Sequence, residues 1–228
     1  MFKPEALTTA QGVDYEPDEF ACFSAAMAFV LHKADRAPEF WEPLAVDTIT
    51  GRQAGQPTVH TNKGYFFLLE QGLALTDVFQ EDDSFDEEAY QAQGQAYLDE
   101  YYGQKTTEEG LATIHTLEDI EESSATKQLF APFQETGQYT EKAQTPTLQD
   151  ILELTNTGLV IAQQDNTQGD AHTVVVIDHG FFPDSDQEYV RYFDNAGGFS
   201  GIAPFRAEPL EEFSFIPEDG IVGIKIEK

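Results

Sequence analysis

The sequence predicts an α+β fold, in which a helical N-terminal half packs on a C-terminal antiparallel β-sheet. A strongly apolar helical stretch, FACFSAAMAFVLHKA, lies near the N-terminus. A second helix, TPTLQDILELTNTG, precedes four runs rich in β-branched and aromatic residues, which are LVIAQQDN, HTVVVIDHGFF, EYVRYFDN and GIVGIKIEK. Turn-forming residues separate these runs, as is typical of strands. Helices followed by consecutive strands predict two packed layers.

The N-terminal helix is predicted to be the central one. Asp18 is placed to cap it, and Glu19 adds an acid to its first turn, where the helix dipole favours one. Its apolar residues occupy two faces, with Phe20, Phe23, Met27 and Val30 on one and Cys22, Ala25, Ala26 and Phe29 on another. A helix that is apolar on both sides is normally buried.

The middle of the chain is predicted to be mostly helical. Residues 62–72 are expected to form a short helix that ends at Gly72, followed by a strand, ALTDVFQ. Helical patterns follow in EDDSFDEEAYQAQGQAYLDEYYG, TEEGLATIH and LEDIEESSATKQLF. In the helix before the sheet, Thr147 is the predicted N-cap, Asp150 completes a capping box and Gly158 is the stop signal.

An excess of acidic residues characterises the whole chain. The 42 Asp and Glu residues against 12 Lys and Arg give a formal net charge of −30. Such a surface repels phosphate backbones and anionic lipids, so we expect neither nucleic acid nor a membrane as a partner. The 228 residues suffice for one large domain, and no repeat or long linker divides them. A single domain over residues 1–228 is therefore expected.

The chain has one cysteine, Cys22, which excludes an intrachain disulfide and a zinc site with several thiolates. This usage suits the reducing cytosol. The first 20 residues lack the basic segment and apolar core of a signal peptide. The longest apolar run, Phe20 to Leu31, is shorter than the roughly 20 residues that span a bilayer. We therefore expect a cytoplasmic protein.

Three residues are arranged as thiol catalysis requires. A nucleophilic cysteine needs a base that generates the thiolate and a group that orients the base. Cys22 lies in the first turn of its helix, where the dipole lowers the pKa of a thiol. His172 opens the strand HTVVVIDH, and Asp194 lies at the end of the next strand. Adjacent strands are about 4.8 Å apart, so these two side chains can meet.

Other histidines compete with His172 as the base. His179 lies seven residues further along the same strand, and alternation with a period of two predicts that it points to the opposite face. His32 lies ten residues after the cysteine, about 15 Å along the helix, which is too far. His60 and His115 are expected in solvated loops or at helix ends. His172 is preferred because it begins its strand, at an edge where a site can open.

The order of these motifs resembles the papain-like cysteine peptidases of the bacteriocin-leader-processing (double-glycine peptidase) group and their free-standing relatives. Members of that group carry a cysteine on the central helix, a helix–Gly–strand unit, a His-plus-valine strand and an Asp or Asn on the next strand. The matching segments are residues 11–33 and 145–198. Residues 38–140 are not covered and are expected to form a family-specific, mostly helical insertion.

The resemblance implies a role for each candidate residue. Cys22 is the nucleophile, His172 the general base and Asp194 the residue that orients the imidazole, with Asn195 as the alternative. The implied activity is that of a cysteine-dependent hydrolase that cleaves peptide or amide bonds in a peptide or protein substrate without a cofactor.

The segment around Cys22 departs from the family pattern at two points. The family's oxyanion hole uses a Gln shortly before the cysteine together with a backbone N–H at the helix start. Here Glu16 lies six residues before Cys22, and the nearest upstream Gln is Gln11. An ionised Glu cannot donate a hydrogen bond, so Gln11 is the candidate donor. Phe23 and Ser24 replace the usual small residues, and Phe23 is expected to crowd the thiol.

Alternatives to a hydrolase stay open. The same scaffold would serve a catalytically silent binding module, which a missing oxyanion donor favours, or an acyl or peptidyl transferase, which differs only in the acceptor. A second interpretation of Cys22 is a core residue, because cysteine is often buried. No metal site is expected, because the group Asp178, His179, Asp184 and Asp186 lacks the spacing of a calcium loop.

Overall fold

The computed structural model describes residues 22–36, 61–80, 130–165, 171–183, 185–194 and 205–226. These residues form an α+β architecture, as the sequence predicts. Several predicted features lie outside the described ranges: the cap at Asp18, the helices between residues 81 and 129, and the residues Gln11, Glu16, His60, His115 and Asn195.

Seven described strands form one mixed sheet. They are Ala74–Phe79 (β1), Tyr139–Ala143 (β2), Gly158–Asp165 (β3), Ala171–Phe181 (β4), Glu188–Asp194 (β5), Phe205–Pro209 (β6) and Ile221–Lys225 (β7). Their order across the sheet is β2-β1-β7-β3-β4-β5-β6. Neighbouring strands are antiparallel except β1 and β2, which are parallel.

The prediction of an antiparallel C-terminal sheet therefore needs correction. Strands β3, β4, β5 and β7 coincide with the four predicted runs. The sheet also includes β1 and β2, which come from earlier in the chain, and the parallel pairing of these two makes it mixed. The described part of residues 38–140, predicted as a mostly helical insertion, thus contains β1 and the beginning of β2 as well as helical residues.

Helix α1 (Cys22–Lys33) is the buried helix that the sequence predicts. Its residues 23–31 are all buried, because β4 and β5 cover one side and helix α2 (Thr61–Glu70) lies on another. The ring of Phe29 stacks on that of Phe193 with centroids 4.5 Å apart and meets Phe205 edge-on at 5.9 Å. Burying each such ring stabilises the fold by about 1.5–3 kcal/mol, which fixes α1 on the sheet.

Helices α1 and α2 meet at Gly64. The ring of Phe23 lies so close that a Cβ on Gly64 would come within 2.8 Å of Cε1. Phe23 also meets Tyr65 edge-on, with ring centroids 5.6 Å apart. At its other end α2 is followed by Gly72, whose φ of +78° is the left-handed conformation of a glycine at a helix end. Both the short helix and its terminating glycine are as predicted.

Helix α3 (Leu148–Thr155) packs on the opposite face of the sheet. The predicted capping box is confirmed, since the Thr147 hydroxyl accepts from the backbone N–H of Asp150 and the Asp150 carboxylate accepts from the backbone N–H of Thr147. Gly158 is not the stop, because the C-cap is Asn156. Gly158 instead opens β3, where a Cβ would lie 1.9 Å from the carbonyl oxygen of Ile224.

Strand β4 contains an irregularity that changes which residues share a face. Its pairing with β5 shifts within residues 176–178. Val174 pairs with Asp194, and His179 pairs with Val190, which lies four residues from Asp194 on β5. Val174 and His179 therefore face the same side of the sheet, and His172, two residues before Val174, shares that side. The expectation that the two histidines of β4 point to opposite faces is therefore wrong. Distance separates them instead, at about 23 Å for seven extended residues.

None of the helices in the described ranges combines the length and the apolar character needed to cross a membrane.

Candidate active site

The Cys22 thiol lies beside the beginning of β4. Cys22 is the first residue of α1, and its side chain lies close enough to the consecutive residues His172 and Thr173 for both to lower the pKa of its thiol. The packing of α1 on β4 produces this contact. The predicted nucleophile and the predicted base, far apart in the sequence, are therefore neighbours.

His172 is held by a carboxylate on the adjacent strand. Its Nε2 lies 2.7 Å from Oδ1 of Asp194, whose side chain is only 4% exposed. Asp194 pairs with Val174, two residues along β4 from His172 and on the same face. An ionised carboxylate can only accept, so Nε2 carries the proton of this bond and Nδ1 is left for Cys22. The contacts run in the order thiol, imidazole, carboxylate.

The pKa values of the two reacting groups shift in opposite directions. Burial raises the pKa of the Cys22 thiol, but the hydrogen bonds with His172 and with the Thr173 backbone N–H outweigh burial and bring it below its ordinary value. Burial lowers the pKa of His172, but the bonds to Asp194 and Cys22 outweigh burial and raise it to about 9. These opposite shifts favour the thiolate–imidazolium pair relative to the neutral thiol and imidazole.

Thr173 provides a second contact with the sulfur that the sequence did not reveal. It is buried and reaches Cys22 through its backbone N–H and its hydroxyl. The hydroxyl also donates to Oε1 of Gln163, 3.0 Å away and directly opposite on β3. Because a hydroxyl has a single proton, it can serve only one of these acceptors at a time. A threonine in HTVVVIDH resembles any β-branched strand residue, so no pattern marked it.

The second oxygen of Asp194 faces a cation. Nε of Arg206, on β6, lies 2.9 Å from Oδ2 of Asp194. Arg206 pairs with Tyr192 across β5 and β6, and Tyr192 donates through its hydroxyl to Glu208, 3.1 Å away. Asp194 therefore lies between an imidazole and a guanidinium. Arg206 was not among the predicted residues, because FRAEP has no pattern of a strand or a site.

The ring of Phe23 packs between α1 and α2 against Gly64 and Tyr65. Successive side chains of a helix point about 100° apart, so this ring is directed away from the thiol of Cys22. The large residue after Cys22 is thus part of the contact between α1 and α2, and its expected effect on access to the thiol stays a prediction. Gly64 is the residue that makes the position of the ring possible.

The remaining candidates are arranged as follows. Gln11 and Asn195 lie outside the described residues, so their predicted roles stay predictions. Asp178 is paired with Arg191, and in the described part of the chain no three His, Cys, Asp or Glu side chains cluster as metal ligands would.

Comparisons of this chain with known protein families, with curated proteins and with solved structures found no match.

Proposed function

We propose that this protein is a cysteine-dependent hydrolase of peptide or amide bonds with a papain-like site. Cys22 is the nucleophile, His172 the general acid and base, and Asp194 the residue that orients the imidazole. The observation that supports this most directly is the 2.7 Å contact between Nε2 of His172 and the buried Asp194 carboxylate, with the Cys22 thiol next to the same imidazole.

The reaction follows from the protonation of these groups. The Cys22 thiolate attacks the substrate carbonyl carbon, and the electron pair of the C=O bond moves to oxygen. As the tetrahedral intermediate collapses, the C–N bond breaks and imidazolium His172 gives its proton to the leaving amine. Neutral His172 then takes a proton from water, whose oxygen attacks the acyl-enzyme thioester. The C–S bond breaks, releasing the acid and restoring the thiolate.

The oxyanion requires donors near the carbonyl oxygen. Cys22 is the first residue of α1, so its backbone N–H has no partner within the helix and is one proposed donor. Gln11 is the proposed side-chain donor, on the resemblance described above. The charge of −30 favours cationic or neutral peptides over acidic ones as substrates.

The reactivity of the thiol tests this proposal. The rate of alkylation by iodoacetamide is measured from pH 5 to 10 for the wild type, Cys22→Ser, His172→Ala and His179→Ala. We expect the wild type to react at pH 7 at least about tenfold faster than His172→Ala, because this change removes the largest of the contacts that lower the thiol pKa. His179→Ala is the matched control, an exposed histidine at the far end of the same strand.

Turnover of a library of fluorogenic peptides with cationic, neutral and acidic flanks completes the test. Cleavage by the wild type that is lost in Cys22→Ser supports the hydrolase. A Cys22 that is alkylated only after denaturation contradicts it. A reactive thiol without turnover of any peptide or ester favours the silent binding module instead.

A further inference from the structure

We propose that Arg206 is a positioning residue of this site, which holds one oxygen of Asp194 so that the other stays on His172. This inference rests on the proposed function and adds a fourth residue to it. Oδ1 of Asp194 faces Nε2 of His172 at 2.7 Å, and Oδ2 faces Nε of Arg206 at 2.9 Å. Each carboxylate oxygen therefore has its own cationic partner.

The orientation of the carboxylate is the first reason for this role. The last torsion of an aspartate side chain is soft and has no sharp minima. A contact at one oxygen restricts this torsion less than contacts at both oxygens do. The 2.9 Å ion pair of the other oxygen with Nε of Arg206, which acts through charge and not through a hydrogen bond, restricts that turning and favours Oδ1 directed at His172.

The charge of the carboxylate is the second reason. Asp194 is buried, and an ionised buried carboxylate needs a cation nearby. His172 supplies one only while it is protonated, and during the reaction it gives its proton to the leaving amine. Arg206 is always charged, so it keeps Asp194 ionised through the step in which His172 is neutral.

A second carboxylate, that of Glu208, lies close enough to Arg206 for their charges to interact. Glu208 lies two residues further along β6, on the same face, and accepts from the Tyr192 hydroxyl. The neighbouring Phe205 packs against Phe29 and Phe193 on the other face of the sheet. Among the described residues, the titratable groups around the guanidinium are Asp194, Glu208 and Tyr192, with the His172–Cys22 pair beyond Asp194.

The test is the pH profile of Cys22 alkylation by iodoacetamide in Arg206→Gln and Arg206→Lys. An Asp194 that is held less firmly stabilises the imidazolium less, and the imidazolium then stabilises the thiolate less. We therefore expect the acid limb of the profile, where alkylation rises as the thiol ionises, to move up by about one pH unit in Arg206→Gln. If Arg206 only repelled the His172 imidazolium, its removal would move the acid limb down. The direction of the shift therefore distinguishes a positioning residue from a repelling charge. Arg206→Lys keeps a cation at Oδ2 and should return the limb toward the wild type.

Arg191→Gln is the matched control, because it removes an arginine from an exposed ion pair with Asp178. Its profile should equal that of the wild type. Circular dichroism shows whether each variant is folded. If Arg206→Gln does not fold, Arg206→Met is used as the neutral variant in its place. The inference about Arg206 alone is overturned if the wild type alkylates with a lowered thiol pKa and the neutral Arg206 variant shows the same or a lower one. If the pH profile of the wild type shows the pKa of an ordinary thiol, both this inference and the proposed function are overturned.

Discussion

At the scale of single residues, the position of Asp194 determines the protonation of the site. Its carboxylate accepts from His172 in a buried setting, which raises the imidazole pKa to about 9 in spite of burial. The imidazolium in turn lowers the pKa of the Cys22 thiol. The reactive ion pair therefore exists between the depressed pKa of the thiol and the raised pKa of the imidazole.

The pH dependence of peptide hydrolysis should show both limits. Below the pKa of Cys22 the thiolate is protonated, and above about pH 9 His172 loses the proton that the leaving amine needs. We expect kcat/KM to form a bell whose alkaline limb lies near pH 9. A profile that keeps rising through pH 10 would contradict this assignment.

Asp194→Asn should separate the charge of the carboxylate from its shape. The amide keeps a similar size but loses the negative charge, so the His172 pKa should fall from about 9 toward its ordinary 6.5. An NMR titration of the imidazole Cε1–H measures this value directly. Asp178→Asn, in an exposed ion pair on the neighbouring strand, is the control and should leave His172 unchanged. A His172 pKa that stays near 9 in Asp194→Asn would assign the shift to Cys22 instead.

The sequence singled out Cys22, His172 and Asp194, which are neighbours in the structure, but it did not indicate the residues that contact them. Cys22, His172 and Asp194 are visible because each opens or ends an element of clear pattern. Thr173 and Arg206 act through contacts across strands, and those depend on pairing register, which a single sequence does not display. The predicted roles of Gln11 and Asn195 stay untested predictions.

At the scale of elements, the contact between α1 and α2 sets the position of the nucleophile's helix. Phe23 follows Cys22 directly, and its ring fits only because residue 64 has no Cβ. Any change that moves this ring also moves the start of α1.

Gly64→Ala should therefore destabilise the protein although alanine is the better helix former. The new Cβ would lie 2.8 Å from Cε1 of Phe23 and 3.1 Å from Cε of Met27. Overpacking of this kind costs about 1–3 kcal/mol, against about 1 kcal/mol gained from helix propensity. Urea unfolding should show a net loss of stability, which Phe23→Leu combined with Gly64→Ala recovers in part. A more stable Gly64→Ala variant would show that the ring moves away freely.

The capping box of α3 gives a second measurable contribution. The Thr147 hydroxyl accepts from the Asp150 N–H, 3.3 Å away, and that N–H loses its partner in Thr147→Ala. We expect the free energy of unfolding to fall by about 1 kcal/mol. Thr147→Ser, which keeps the hydroxyl, is the control and should stay close to the wild type. Equal stability of the alanine and serine variants would mean that the cap contributes nothing.

The elements differ in how visible they are in the sequence. The capping box and the four apolar runs gave α3 and strands β3, β4, β5 and β7 correctly. Strands β2 and β6, YTEKA and FRAEP, were missed because they are short, charged and lie at the two edges of the sheet. The irregularity of β4 is not visible in the sequence, because the continuous apolar run in HTVVVIDH gives no sign of an extra residue.

At the scale of the whole molecule, the net charge of −30 acts on stability and on substrate encounter. Repulsion among like charges opposes the compact state, and salt screens it, with a Debye length of about 8 Å at 0.15 M. The melting temperature should therefore rise as NaCl is increased from 0.02 to about 0.5 M. Over the same range, any preference for cationic over acidic peptides should diminish. A salt-independent preference would locate the selectivity in local contacts rather than in the overall charge.

The topology of the sheet was beyond sequence reasoning. Strand β7 comes last in the sequence, yet it lies between β1 and β3 and pairs with both. Its pattern, GIVGIK, indicates a buried strand and says nothing about its neighbours. The two groups of strands, β2–β1 and β3–β6, are joined only through β7 within the described sheet.

The central place of β7 has a consequence for biosynthesis. A ribosome makes the strands in order, so residues 74–79 must wait for residues 221–225 before the gap in the sheet is closed. Strands β3 to β6 can pair beforehand, because each contacts its neighbour in the sequence. Contacts between distant parts of a chain form slowly. The sheet beside the Cys22 thiol is thus completed only after residues 221–225 have been synthesised, later than the residues of the proposed site.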